Sequence, residues 1–206
     1  MRKRLSILGA IVALAALSVV TIAPAANSND DGDSRGRVVR WDLVQFVSGV
    51  VLEGGSTVSV DKATGDTLTL TGSGHAEPRQ EVAFGGGTFT HERESDTDLT
   101  GAYYVTDFIS WKRAAGSFEE TGLIDGIGNP DGATAGVLTL RVAFVPEIDG
   151  EPGPTIKGKL IIDCALPGAP ANLVEGVRIK IGALGLDFVQ HEDPDTRGFT
   201  LLHIIR

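Results

Sequence analysis

The chain has 206 residues, with 27 acidic and 18 basic side chains, a formal charge of −9 and one cysteine. An acidic balance of this size argues against nucleic acid and anionic lipid as partners, and a lone cysteine excludes an intramolecular disulfide. Twenty-seven glycines fit a fold with many turns.

Arg2, Lys3 and Arg4 precede an apolar run from Leu5 to Ile22, followed by Ala23-Pro24-Ala25. A basic start, an apolar stretch and small residues at the cut predict a secretory signal over 1–25, cleaved before Ala26. The run has 18 residues, so an uncleaved membrane anchor is the alternative. Residues 26–36 contain NSNDDGDSRG, a polar acidic leader. One domain then spans 37–206, a size that supports its own core. Loss of Arg2, Lys3 and Arg4 leaves 15 basic against 27 acidic residues, a charge of −12. The expected product is extracellular or periplasmic and free of the membrane once cleaved.

Val38 to Val47 predicts a first strand with apolar residues on both faces. Val50 to Glu53 and Thr57 to Asp61 follow, with Gly54-Gly55 as a bulge or tight turn between them. Lys62 to Asp66 is a turn. TLTLTGS (67–73) alternates strictly, with Leu68 and Leu70 on one face. Val82 to Phe84 is a short strand, and Gly72-Ser73-Gly74 and Gly85-Gly86-Gly87 read as bulges or turns. TFTHER then places Phe89 and His91 on one face. After an acidic turn at Glu94 to Asp98 comes the longest candidate, Leu99 to Lys112, with Leu99, Tyr103, Val105, Ile109 and Trp111 of one parity.

Ala114 to Ala135 is irregular, with one helical turn expected near Ser117 to Leu123 and turn chemistry at Asn129-Pro130-Asp131-Gly132. GVLTLRVAFV (136–145) and IKGKLIIDCAL (156–166) then flank a loop containing Asp149-Gly150. Leu138, Leu140, Val142 and Phe144 share one face, as do Ile156, Leu160, Ile162, Cys164 and Leu166, so the two runs predict a long antiparallel hairpin. Cys164 is expected to be buried and inert. Strands at Leu173 to Ile181, Leu184 to Gln190 and Phe199 to Ile205 complete the chain. Nine or ten short strands with very little helix make an all-β protein. The expected topology is an antiparallel meander, either a β-sandwich or a closed β-barrel.

The chemistry is sparse. Asp107 has the parity of the inward residues around it, and a buried carboxylate needs a partner. His91 and His203 are the histidines on apolar faces, so acid–base work by Asp107 with a histidine is the enzyme reading. A hairpin centred on Asp96 pairs positions summing to about 192, which sets His91 near Gly101 and away from Asp107. The alternative for Asp107 is a bulge that turns it outward, and for His203 a core imidazole bonded to a backbone carbonyl. Tyr103, Tyr104, Phe108, Trp111 and Trp41 are candidates for a ligand-stacking surface, Tyr104 and Phe108 having outward parity. The acidic run at Asp193 to Gly198 fails the calcium-loop pattern, the histidines lack zinc spacing, and no phosphate loop or dinucleotide fingerprint is present. No metal and no cofactor are therefore expected. The leading functional expectation is an exported binding module for a partner protein, a glycan or a small apolar ligand. A β-barrel enzyme and a structural cell-envelope component are the alternatives.

Overall fold

The computed structural model describes residues 37–94 and 96–205; the expected signal and leader lie outside them. Strands make up 61% of the structure and helical turns 8%, so the chain is all-β. Eight strands close into a ring, and their order around it follows the chain. They are β3 (Ser56–Asp61), β4 (Thr67–Thr71), β6 (Val82–Glu92), β7 (Leu99–Arg113), β9 (Gly136–Ile148), β11 (Ile156–Cys164), β12 (Gly176–Ile181) and β13 (Leu186–Gln190). β13 returns to β3, with Phe188 opposite Asp61 and Gln190 opposite Ser59, and closes the barrel. The meander is therefore a closed barrel, not a sandwich.

The alternation read from the sequence sets the inside of this ring. Gly136 to Phe144 pair with Cys164 to Ile156 in one register, and Leu138, Leu140, Val142, Phe144, Leu160, Ile162, Val177 and Ile179 are all buried. At roughly 25 cal/mol per Å² of apolar surface removed from water, such side chains each contribute about 1.5–3 kcal/mol before entropy is counted.

The two terminal strands lie outside the ring. β1 (Val38–Val47) pairs with β14 (Phe199–Ile205) from Val38↔Ile205 to Val44↔Phe199. Its other edge meets β5 (Ser73–Glu77) and then β2 (Val50–Glu53). β8 (Ile124–Asp125) and β10 (Glu151–Pro152) are short additions, and α1 (Pro194–Arg197) is a single turn before β14. The β1–β14 pair crosses one end of the barrel. Leu43 N–H donates to Gly72 C=O after β4, Thr134 N–H donates to Leu202 C=O before β9, the Thr200 hydroxyl bonds Asp163 C=O near the end of β11, and Gly198 bridges Thr57 at the start of β3. Both faces of β1 are buried for this reason: Val39, Trp41 and Leu43 face the barrel, while Asp42 and Val44 face the loops above it.

Two glycine stretches differ from the bulges or turns expected of them. β4, Gly72 and β5 run as one line against β6, with Gly74 opposite Gly85 and Ser73 opposite Gly86. The missing side chains leave room for the Trp41 indole: a Cβ on either Gly74 or Gly85 would stand 2.8 Å from it. The glycines thus line a seat for the base of the core. Gly55 lets β2 leave β1, since a Cβ there would lie 1.9 Å from the Val44 carbonyl oxygen.

The β6–β7 hairpin pairs His91 with Leu99 and Gly86 with Tyr104, a sum of 190 where the turn suggested about 192. Along β7 the pairing to β9 slips twice. Val105 faces Val142, Asp107 faces Arg141, Phe108 faces Leu140, Ser110 faces Thr139 and Trp111 faces Leu138. Thr106 and Ile109 are the extra residues of two bulges. Each bulge shifts the parity, so Asp107 turns outward and Phe108 turns inward, the reverse of simple alternation.

Candidate functional site

The end of the ring opposite β1 and β14 is open, and loops surround it. A cavity of about 250 Å³ lies in this mouth. Leu68 of β4, Phe89 of β6, Phe144 of β9, Ile156 of β11, Ile181 of β12 and Phe188 of β13 supply apolar walls. Asp66, His91 and Arg93 supply the polar ones.

His91 reaches the mouth because β6 keeps strict alternation through Phe89 and His91. Leu68 lies directly opposite it on β4. Asp66 sits two residues before Leu68 on the same face, which makes it the diagonal neighbour of His91. Nε2 of His91 lies 3.1 Å from Oδ2 of Asp66, and the two side chains are only 13% and 11% exposed. The other oxygen of Asp66 accepts the Glu94 N–H at 3.3 Å. The imidazole stands edge-on to Phe188, ring centres 5.4 Å apart. The ring is therefore held from two sides: a carboxylate on Nε2 and an aromatic wall against its flank. Among the described residues nothing bonds its Nδ1, which leaves one ring nitrogen for an incoming group.

Asp61 braces the same rim. Burial pushes its carboxyl up, but the backbone N–H groups of Asp187, Ala63 and Thr64, and His91 beyond them, pull it below the usual carboxylate range. It ties the β3 end to β13 across the seam of the ring, with Asp187 N–H at 2.8 Å. Arg93 bonds Asp96 through Nη1 at 2.7 Å and the Thr97 carbonyl through Nη2, so its head is turned to the 93–97 loop.

The other residues singled out by sequence fall elsewhere. Asp107 is on the outer wall, 54% exposed, 3.6 Å from Arg141, and no histidine approaches it. The dyad of Asp107 with a histidine is corrected here: both histidines have other carboxylates. His203 lies on the far side of β14, 1% exposed, with Nε2 at 2.6 Å from Asp125. Its partner is this carboxylate, where a backbone carbonyl was the expected alternative. Asp125 also accepts the Ile127 and Gly128 N–H groups at 2.9 and 3.0 Å. Burial raises the Asp125 carboxyl, yet His203 and these two amides together hold it below its ordinary value. Next to them Arg40 forks onto Asp42 at 2.8 and 3.0 Å and also meets Glu53. Desolvation still leaves the Asp42 carboxyl raised. This cluster fastens the irregular 124–132 segment to the β1–β14 pair and is shut off from the mouth.

The aromatic candidates do not form one surface. Trp41 and Tyr103 are buried in the core, and the Tyr103 hydroxyl donates to the Thr71 carbonyl at 2.8 Å. Phe108 and Trp111 pack partly buried against that core. Tyr104 alone is well exposed, at 46%. None of the five lines the mouth. Cys164 is fully buried, as expected, and burial raises its thiol well above the ordinary range.

Sequence reasoning missed Asp66, which reads as the last residue of a turn. The β4–β6 register would have found it, because that pairing sets Asp66 diagonal to His91. Comparison with family models, with curated proteins and with solved structures finds no match for this chain.

Proposed function

We propose that the chain is an exported binding protein that takes a small apolar ligand into the barrel mouth, with His91 meeting the ligand's polar tip. The observation that carries this is the juxtaposition of an apolar 250 Å³ cavity with one positioned imidazole. Ligand sites are concave, mostly apolar, and carry a few fixed polar groups, and barrel mouths are frequent places for them. The export part rests on the basic, apolar and small-residue pattern at 1–25.

A second reading, acid–base catalysis, moves from Asp107 to the Asp66–His91 pair. The contact that favours it is the 3.1 Å hydrogen bond that fixes the ring, as a positioned base requires. The same experiment serves both. p-Cresol, an apolar ring with one hydroxyl, is titrated into the mature protein while the ring resonances of His91 and Phe188 are followed. Saturable shifts at both residues are expected, with affinity at least about fivefold weaker in His91→Ala, in keeping with one lost hydrogen bond. Shifts elsewhere, or none, would overturn the mouth as the site. A pH-dependent exchange of ligand protons lost in Asp66→Asn would favour catalysis over binding.

A further inference from the structure

Among the described residues, most of the inward carboxylates lie against a basic side chain. Asp42 has Arg40, Asp163 has Arg178, Asp66 has His91 and Asp125 has His203. Asp61 has three backbone N–H groups. Glu175, like Asp61, is met by uncharged donors alone, but it borders an apolar cavity. Its Oε2 accepts the Ala165 N–H at 2.6 Å, and its Oε1 accepts the Thr200 N–H at 2.6 Å. Among the described residues no cation bonds it. Arg197 acts on it only through space, and desolvation wins: burial pushes the carboxyl up to about 7.

The Thr200 hydroxyl lies 3.0 Å from the Asp163 carbonyl oxygen and 2.7 Å from Oε1 of Glu175. A hydroxyl has one proton to give, and the shorter contact, onto Oε1, takes it. Glu175 is thus held by three donors, none of them charged.

Glu175 lines a cavity of about 220 Å³ on the outer side of the β1–β14 pair, far from the mouth. Val44, Phe118, Leu123, Phe199 and Leu201 make the rest of it largely apolar. An apolar cavity of about 150 Å³ holds benzene, so a ring and a short arm fit here. We infer that this cavity is a second ligand site, selective for a primary ammonium on a short apolar stem, with Glu175 as the counter-ion. The occupant is set by complementarity: apolar walls take the stem, and the ammonium supplies the cation that Glu175 lacks. On binding, the ammonium enters charged, the Glu175 proton leaves to solvent, and the new ion pair forms in the cavity. Below the pH at which Glu175 ionises, each binding event therefore releases up to one proton.

The test uses benzylamine, with benzyl alcohol as its uncharged counterpart, titrated into the mature chain by calorimetry and by resonance shifts. Benzylamine is expected to bind with Kd on the order of 1 mM and to shift Phe118 and Phe199. Its affinity should rise about tenfold per pH unit between about pH 5 and about pH 7 and then level off. Glu175→Gln should weaken the amine at least about tenfold, the loss of a charge-assisted partner, and leave the alcohol unchanged. Equal affinity for amine and alcohol, amine binding that ignores pH, or shifts at His91 in place of Phe118 would each overturn the proposal, as would no binding. Should Glu175→Gln fail to fold, the pH series on the unchanged protein decides alone. A failure here leaves the mouth untouched, since p-cresol reads that site separately.

Discussion

At one end of the ring the chain lays its two terminal strands across the opening and fills the space with Trp41, Leu43 and Leu202, none of them exposed. At the other end only loops surround the opening, and a cavity remains between Phe144, Ile181 and Phe188. The strands between are the same strands, with the same alternation. The difference comes from what the ring leaves unpaired. Small barrels are filled by their own side chains unless an end is left under-packed. In this chain the packing surplus is placed at the base, so the closed, filled end and the end with a cavity inside the ring are opposite ends. A base residue should therefore be costly to change, and a mouth residue cheaper to change for folding but costly for binding.

The sharpest break of that contrast is Trp41→Ala. It empties the seat between Gly74 and Gly85 in a fully buried layer, and about 3–5 kcal/mol should be lost. Equilibrium urea unfolding measures it; a loss under about 1 kcal/mol would mean that the base does not hold the barrel.

Asp125→Ala comes next. It strands His203, which is buried on the outer side of the base, and breaking one partner out of a buried pair costs about 3–5 kcal/mol. The pH dependence has a defined sign. The Asp125 carboxyl is held below its unfolded value, so its contribution is present above the unfolded pKa of about 4 and is lost as pH falls through the lower folded value. Unfolding midpoints of wild type and variant should therefore converge in acid. A gap that widens in acid would contradict the assignment.

His91→Ala, at the mouth, leaves the Asp66 carboxylate without its imidazole but opens onto the cavity, so it should cost less than Asp125→Ala, about 1–3 kcal/mol. Its effect belongs in the p-cresol affinity. Asp107→Ala should be smallest, within about 0.5 kcal/mol of wild type, as for an exposed residue on the outer wall. A large destabilisation by Asp107→Ala in the same urea series would mean that the outward turn of β7 is wrong.

The part of this fold that depends on period two was open to a reader of the sequence. Leu138 to Phe144 and Ile156 to Cys164 declare their inner faces, and the meander follows from short turns between such runs. A bulge near Asp107 was one of two readings, but its position at Thr106 and the second bulge at Ile109 were not legible. An extra residue in a strand leaves no mark in composition, and two bulges three residues apart reverse the parity only of the residues between them. Simple alternation alone puts Asp107 inward and Phe108 outward for that reason; of the two readings of Asp107, the bulge that turns it outward is the one the strand adopts, and Trp111 beyond keeps its inward parity. The site was half legible. His91 stands out as a histidine on an apolar face, but Asp66 becomes its partner only through the β4–β6 register. The Asp125–His203 contact joins residues 78 apart through an irregular segment and has no local signal. Trp41 on its glycines is similar: GSG and GGG look like punctuation until the indole is placed over them.

The pairing of Val38 with Ile205 also has a kinetic meaning. Most ring contacts join strands adjacent along the chain and need only short loops to close. The first strand made, β1, takes its full-length partner from the last strand made, and the β13–β3 seam likewise waits for the C-terminal third. Closing such long loops costs more entropy, and contacts of this kind slow folding. Until β14 arrives, one edge of β1 is an unpaired template beside exposed Val39, Trp41 and Leu43, the condition in which strands associate with other chains. A chain truncated before Phe199 should thus retain much of the meander sequence yet aggregate through β1. Joining Val38 to Ile205 by a short linker, with new ends at Asp149-Gly150, would make that pairing local and should speed folding.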